Sequence, residues 1–167
     1  EYGITKAVVR TVDEALKIES FLEYILVLAD RPKEYNEKLR YIINDLSSID
    51  SFESGTKVEL KVDTLMHRYG VSMCELEEAL LKIQNRGLVL EAVLTHHRSA
   101  DELTSEWFVQ NENFKKVKQK VKDLGLKNIR FHSANSASLF RTDAFYEDMV
   151  RVGIAAYGCL DSNVDDA

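Results

Sequence analysis

The chain has 167 residues, 45% of them hydrophobic, and a formal net charge of -6 from 28 acidic and 22 basic side chains. That is enough for one buried core, but short of the roughly 200 residues a complete eight-stranded barrel requires. Scattered basic residues argue against a nucleic-acid partner, and the lack of an apolar run near the ~18 residues of a helical span argues against a membrane.

No signal peptide opens the chain. Cys74 and Cys159 have neither metal-ligand spacing nor a disulfide framework, so the expected setting is a reducing cytoplasm, with structural roles for both thiols.

From Gly3 to Thr11 the run is rich in β-branched residues and reads as a strand. Thr11 with Glu14 then forms a capping-box pattern that starts a helix through Leu22. Tyr24 to Ala29 is an unbroken apolar run of the kind buried on both faces of a parallel sheet. Asp30 to Arg40, with the single proline Pro32, reads as a loop leading into a short helical turn. Tyr41 to Phe52 gives a weaker strand followed by a polar turn and a brief helix.

Val58 to Asp63 alternates Val58, Leu60 and Val62 with Glu59, Lys61 and Asp63. If outer helices cover the apolar face, Lys61 points into the sheet's interior, where an unpaired ammonium is costly. Ser72 and Glu75 form a second capping-box pattern before a helix with the apolar stripe Leu76, Leu80, Ile83, ending near Gly87. Leu88 to Leu94 reads as a strand ending at Thr95, His96 and His97. Ser105 to Leu124 reads as a long amphipathic helix with Phe114, Val117, Val121 and Leu124 inward, stopped at Gly125.

Ile129 to His132 reads as a strand opening into the hydroxyl-rich turn Ser133 to Ala137, which can start a helix. Val150, Val152 and Ile154 alternate with Arg151 and Gly153 as a further strand that aims a guanidinium at the interior. About seven strands alternating with helices define a parallel α/β fold, in which active groups gather at the carboxyl ends of strands. Neither a GxGxxG nor a Walker string is present.

Three strings in order, KVDTLMHRYG (Lys61 to Gly70), THHRSADE (Thr95 to Glu102) and HSANSA followed by RVGIAAYG (His132 to Gly158), resemble the pyridoxal-phosphate barrel of alanine racemase. The resemblance implies an incomplete TIM (β/α)8 barrel, about strands 2 to 8, over residues 1–158, with 159–167 starting the connection to a C-terminal β domain. It also implies a PLP-dependent isomerase of the cytoplasm, interconverting L- and D-alanine for peptidoglycan, a homodimer at full length. A broader-specificity or serine racemase of the same family, or a truncated non-catalytic barrel, are the competing readings.

The resemblance assigns roles residue by residue. Arg151 corresponds to the arginine that hydrogen-bonds the cofactor's pyridine nitrogen and, because guanidinium keeps its protons, leaves that nitrogen unprotonated. Read alone, Arg151 is first a structural ion pair across the barrel floor, and it is the resemblance that reverses the preference. Ser136, Gly153 and Ile154 correspond to groups that bind the cofactor phosphate through a hydroxyl and backbone amides, and a side chain on Gly153 would collide with that phosphate. Asn135 belongs with Ser136 to the cofactor-binding set the resemblance implies; read alone, the two serve as well as helix caps, and the two roles are compatible.

Lys61 and Arg68 correspond to a lysine the family often carries as a carbamate and the arginine it steadies beside the cofactor's phenolic oxygen. The competing reading pairs Lys61 with Glu59. Leu65 stands where the family usually has glycine, and His97 and Arg98 replace an aromatic and a small residue. His96 corresponds to a histidine that orients polar groups beside the cofactor, and two adjacent histidines without carboxylate or thiolate spacing do not form a zinc site.

Lys115 to Lys122 is the solvated face of the long helix, and Trp107 is packing. The lysine that carries the cofactor, on a Lys-x-Asn-Ala-Tyr-Gly strand, has no counterpart in these residues, and the catalytic tyrosine belongs to the family's C-terminal domain. Without those two bases the 167 residues alone are expected to be inactive.

Overall fold

The computed structural model describes residues 3–102, 104–141 and 146–159. Seven strands lie among them: β1 (Lys6–Val9), β2 (Tyr24–Val27), β3 (Leu39–Ile43), β4 (Lys57–Asp63), β5 (Val71–Ser72), β6 (Val89–Leu94) and β7 (Arg130–His132). Every pairing is parallel, in the order β1-β2-β3-β4-β6-β7, with the two-residue β5 added at the carboxyl end of β4. Helices α1 (Val12–Ile18), α2 (Leu76–Asn85), α3 (Glu106–Asp123) and α4 (Ser136–Leu139) occupy the connections. The result is an arc of a TIM-like barrel.

The alternation along each strand sorts the side chains into two environments. Ile25, Val27, Leu39, Tyr41, Ile43, Val58, Leu60, Val62 and Val93 join Val12, Leu76, Ile83, Phe114 and Val121 from the helices in one large core. The opposite face is the barrel interior, where Tyr24, Leu26, Ile42 and Leu94 form a small apolar cluster with Met149. As the alternation in β4 indicates, Glu59 and Lys61 lie on this interior face and both are buried.

Between β4 and β6 the register slips so that Val58 pairs with Leu90 but Glu59 with Ala92, leaving Glu91 as the extra residue of a bulge. Arg40 Nε and one Nη of Arg130 hold the Glu91 carboxylate at 2.9 and 3.0 Å. The same two guanidiniums sit over the Tyr24 ring at 4.5 and 4.6 Å. This cluster fills the interior at the amino-terminal ends of the strands.

The capping box of Thr11 and Glu14 forms in full. At α2 only half of the expected box exists: Glu75 accepts the Ser72 N–H at 2.8 Å, but the helix begins at Leu76 without a side-chain cap. Ser72 already belongs to β5, which fixes it too early in the chain. No helical turn forms between Asp30 and Lys38, and Leu39 and Arg40 start β3 instead. Leu124, expected inward, is 39% exposed because the helix ends at Asp123 and the chain turns away.

The expected strand from Val150 to Ile154 is not one. Asp148 N–H donates to Phe131 O and Arg151 N–H to Ala134 O, both at 3.0 Å, so the segment runs beside β7. A ladder is nevertheless blocked, because the Asp148 carboxylate takes the Phe131 N–H at 2.7 Å and Glu147 takes that of Ser133. Side-chain carboxylates thus occupy the donors a neighbouring strand would use. Ile154 begins a 3-10 turn, Ile154–Tyr157, and its side chain is exposed. Of the second proposed unit, residues 159–167, only Cys159 is within the described residues.

Candidate cofactor site

A cavity of about 610 Å³ opens at the carboxyl ends of the strands, lined by Lys61, Arg68, His96, Arg151 and Gly153 on its polar side and by Val8, Leu26, Ile42 and Leu94 on its apolar side. Four of the residues singled out from the sequence therefore meet a fifth, Lys61, around one space.

Arg151 is the centre of this arrangement. One terminal nitrogen donates to Thr95 O at 2.7 Å and Ser133 O at 3.1 Å, and the other donates to His132 Nδ1 and, at 3.4 Å, to His132 O. A guanidinium has five N–H donors. Its Nε–H finds no acceptor among the described residues. Burial pulls the Arg151 pKa down to about 10, with Glu59 and Glu147 pulling it back up, so the charge persists at neutral pH.

Lys61 reaches out of β4 and donates to the carbonyl of Arg68 at 2.9 Å. The expected alternative of a Glu59–Lys61 ion pair does not form, since Glu59 instead meets His132 at 2.9 Å and Arg130 at 3.6 Å. Burial lowers the Lys61 amine to about 8, assisted by the charges of Arg68 and Arg151. The free amine is therefore far more populated near neutral pH than in an exposed lysine. His96 is depressed to about 4, by burial first and then by Arg151, Lys61 and Arg68. Its Nδ1 lies 3.5 Å from Arg151.

The loop from Asp63 to Gly70 that carries Arg68 is wound tightly. The Asp63 carboxylate accepts the N–H groups of Leu65 and His67 at 3.0 to 3.1 Å. Leu65, His67 and Tyr69 all have positive φ, at 144°, 56° and 57°. Leu65, where the resemblance leads one to expect glycine, thus adopts a backbone that glycine tolerates and leucine does not. Gly70, at φ +110°, is required: a Cβ there would lie 2.8 Å from the Asp63 nitrogen.

Ser136 opens α4, and its Oγ accepts the N–H groups of Gly153 at 2.9 Å and Ala155 at 3.3 Å, on either side of Ile154. Two amides thus converge on one oxygen, the arrangement an anionic oxygen needs. Gly153 has φ -115° and a Cβ on it would meet nothing within 4 Å. Asn135 caps α4 by accepting Ser138 N–H at 2.9 Å, and its amide reaches His97 O at 3.3 Å. Capping and the Ser136 cluster therefore coexist, on separate residues. His97 turns away from the cavity, toward Ser138 at 2.7 Å and the Trp107 ring.

Sequence reasoning did not connect Glu59 to His132. The signal was in the alternation, which places Glu59 on the same face as Lys61 and His132 on the same face as Arg130, but it does not say which strands face each other across an arc.

Lys61, Arg68 and Arg151 make no ion pair within 4.0 Å among the described residues, while the interior carboxylates Glu59 and Glu91 are held at the other end by Arg40, Arg130 and His132. A parallel barrel arc with three cations at its carboxyl mouth, none within ion-pair distance of a carboxylate among the described residues, has the chemistry to take an anionic small molecule. The family model for the alanine racemase N-terminal domain matches residues 1–161, and the chain belongs to that family.

Alanine racemase of a Nitratiruptor species is 50% identical over 160 residues, and that of Campylobacter jejuni 41% over 163. These alignments cover 93% and 97% of this chain but 47% and 49% of the relatives, so the chain spans about half their length. Among solved structures, alanine racemase of Bacillus anthracis with bound L-Ala-P superposes with a TM-score of 0.79 at 29% identity, over 95% of this chain and 45% of that one. Alanine racemase of Bartonella henselae with covalently bound pyridoxal phosphate gives 0.74 at 24% identity, over 93% and 49%. The family is dependent on pyridoxal phosphate.

Proposed function

We propose that this chain is the cofactor-positioning part of a pyridoxal-phosphate-dependent alanine racemase that acts as a homodimer in the cytoplasm and supplies D-alanine for peptidoglycan. The observation that carries the reading is the convergence of Arg151, Lys61, Arg68 and His96, with no carboxylate within ion-pair distance among the described residues, on one cavity beside the paired amides at Ser136.

The donor set fits the cofactor. When bound, pyridoxal phosphate would supply the electron withdrawal that acidifies an amino acid's α-hydrogen. Arg151 offers its Nε–H to the ring nitrogen and, as a permanent donor, returns no proton to it. Ser136 with the amides of Gly153 and Ala155, which bracket Ile154, receives the phosphate. Lys61 steadies the Arg68 backbone, and its uncharged amine can add carbon dioxide through a new N–C bond, releasing a proton to solvent and leaving a carbamate anion that would grip the Arg68 side chain. His96, held uncharged by its surroundings, orients polar groups without adding a further positive charge.

Neither base of the reaction corresponds to a residue in the matched strings, so what these residues do is bind and orient. The test is racemisation of L-alanine by the full-length protein, followed by circular dichroism with added pyridoxal phosphate. Conversion of L- to D-alanine is expected, with serine turned over more slowly. Serine turned over as fast would favour the broader-specificity reading, and no turnover of either would favour the non-catalytic barrel.

A further inference from the structure

Glu59 is fully buried inside the arc, with Oε2 2.9 Å from His132 Nε2. The other ring nitrogen of His132 meets a terminal nitrogen of Arg151. Chemistry fixes the protons along this line. A guanidinium can only donate, so Nδ1 of His132 is the bare nitrogen. The single ring proton then sits on Nε2, and Glu59 accepts it. An imidazolium, or the opposite tautomer, would set two donors against each other at Arg151.

We propose that Glu59 is a positioning residue: its carboxylate holds His132 in the Nε2–H tautomer, which leaves Nδ1 to accept from Arg151 and aims the guanidinium at the cofactor's ring nitrogen. The aiming step rests on the role given to Arg151 above. The grip is two-sided. Thr95 O and Ser133 O fix one terminal nitrogen, and the other has only His132, through Nδ1 and a weaker contact to its carbonyl at 3.4 Å. If the tautomer changed, only that 3.4 Å contact to the carbonyl would hold this side among the described residues. Arg130, 3.6 Å from Glu59 Oε1, is the nearest cation, so the carboxylate stands between one guanidinium directly and another through the imidazole.

A carboxylate can only accept, which is why it enforces the tautomer. Glutamine has the same shape but can present either an oxygen or an N–H to His132, so Glu59→Gln removes the carboxylate's share of the enforcement while keeping the volume, and leaves Arg151 alone to favour a bare Nδ1.

The experiment is nitrogen-15 NMR of ring-labelled histidine in the full-length protein without cofactor, paired with pyridoxal phosphate titrations. Wild type is expected to show His132 with a proton on Nε2 alone, and Glu59→Gln to populate the other tautomer. A wild-type ring protonated at Nδ1, or at both nitrogens, overturns the proposal even if the variant fails to fold. So does a Glu59→Gln spectrum identical to wild type.

Glu59→Gln is further expected to weaken pyridoxal phosphate binding about tenfold, the scale of one misaligned charge-assisted hydrogen bond, with Glu59→Asp recovering part of it. Affinity unchanged in Glu59→Gln but lowered in Arg151→Ala overturns the aiming role. Affinity unchanged in Arg151→Ala defeats the cofactor reading itself, while tautomer control by Glu59 is judged separately by the spectra.

Discussion

Ser136 Oγ receives the Gly153 N–H at 2.9 Å, joining the first residue of α4 to a turn seventeen residues later. The contact holds the Arg151 segment against β7 from one side while the Arg151 N–H bond to Ala134 O holds it from the other. Ser136→Ala is expected to destabilise the protein by about 1 kcal/mol or less, since two part-buried amides lose a partner. It should also weaken pyridoxal phosphate binding, and thermal melts with and without the cofactor separate the two effects. Gly153→Ala gives a contrasting pattern. Its Cβ meets nothing and its φ suits alanine, so the apo melting temperature should hold while cofactor affinity falls.

Leu65→Gly should raise stability by about 1 kcal/mol, because strain at a positive φ of 144° outweighs the extra chain entropy of glycine. Gly70→Ala acts in the opposite direction, since its Cβ would strike the Asp63 backbone at 2.8 Å. Urea denaturation of the two variants tests both signs. Equal stability of Leu65→Gly and wild type would mean the loop relaxes without help.

The His97 pKa sits at about 4 in the fold against an ordinary 6.5, chiefly through burial. The unfolded chain therefore binds more protons between those values, and stability is lost as pH falls from 6.5 toward 4, on the order of 3 kcal/mol from this one group. His97→Phe should make that acid limb shallower without abolishing it, because His96 is depressed to the same value and keeps its own share. Denaturation midpoints at pH 4.5 and 7 in both proteins supply the comparison, and an unchanged slope would place the acid sensitivity elsewhere.

Lys61 behaves as a base whose folded pKa, about 8, lies below its ordinary 10.5. Again the unfolded chain binds more protons in the interval, so stability rises as pH climbs from about 8 to 10.5. Lys61→Met in carbon-dioxide-free buffer should remove that rise and be the more stable protein at pH 7. Labelled bicarbonate added to wild type should give a carbamate carbon signal that Lys61→Met lacks.

Much of this was legible in the sequence because period-two alternation reports burial directly. Val58, Leu60 and Val62 against Glu59 and Lys61 identified both faces of β4, and HSANSA carried the strand end, the Asn135 cap and Ser136. Pattern failed where neighbours decide. Val150 to Ile154 alternates as a strand does, but whether it joins the sheet depends on who takes the β7 amides, and Asp148 and Glu147 take them. The bulge at Glu91 was equally hidden, since a register slip follows from pairing across strands and leaves no mark on either strand alone.

The central claim is that Arg151 addresses the cofactor's ring nitrogen from within a cationic cavity. Spectroscopic titration of the full-length protein and its Arg151→Ala variant with pyridoxal phosphate tests it most directly. The account predicts saturable binding by wild type and at least about tenfold weaker binding by the variant, as loss of a charge-assisted hydrogen bond requires. Equal affinity in the two proteins would contradict it.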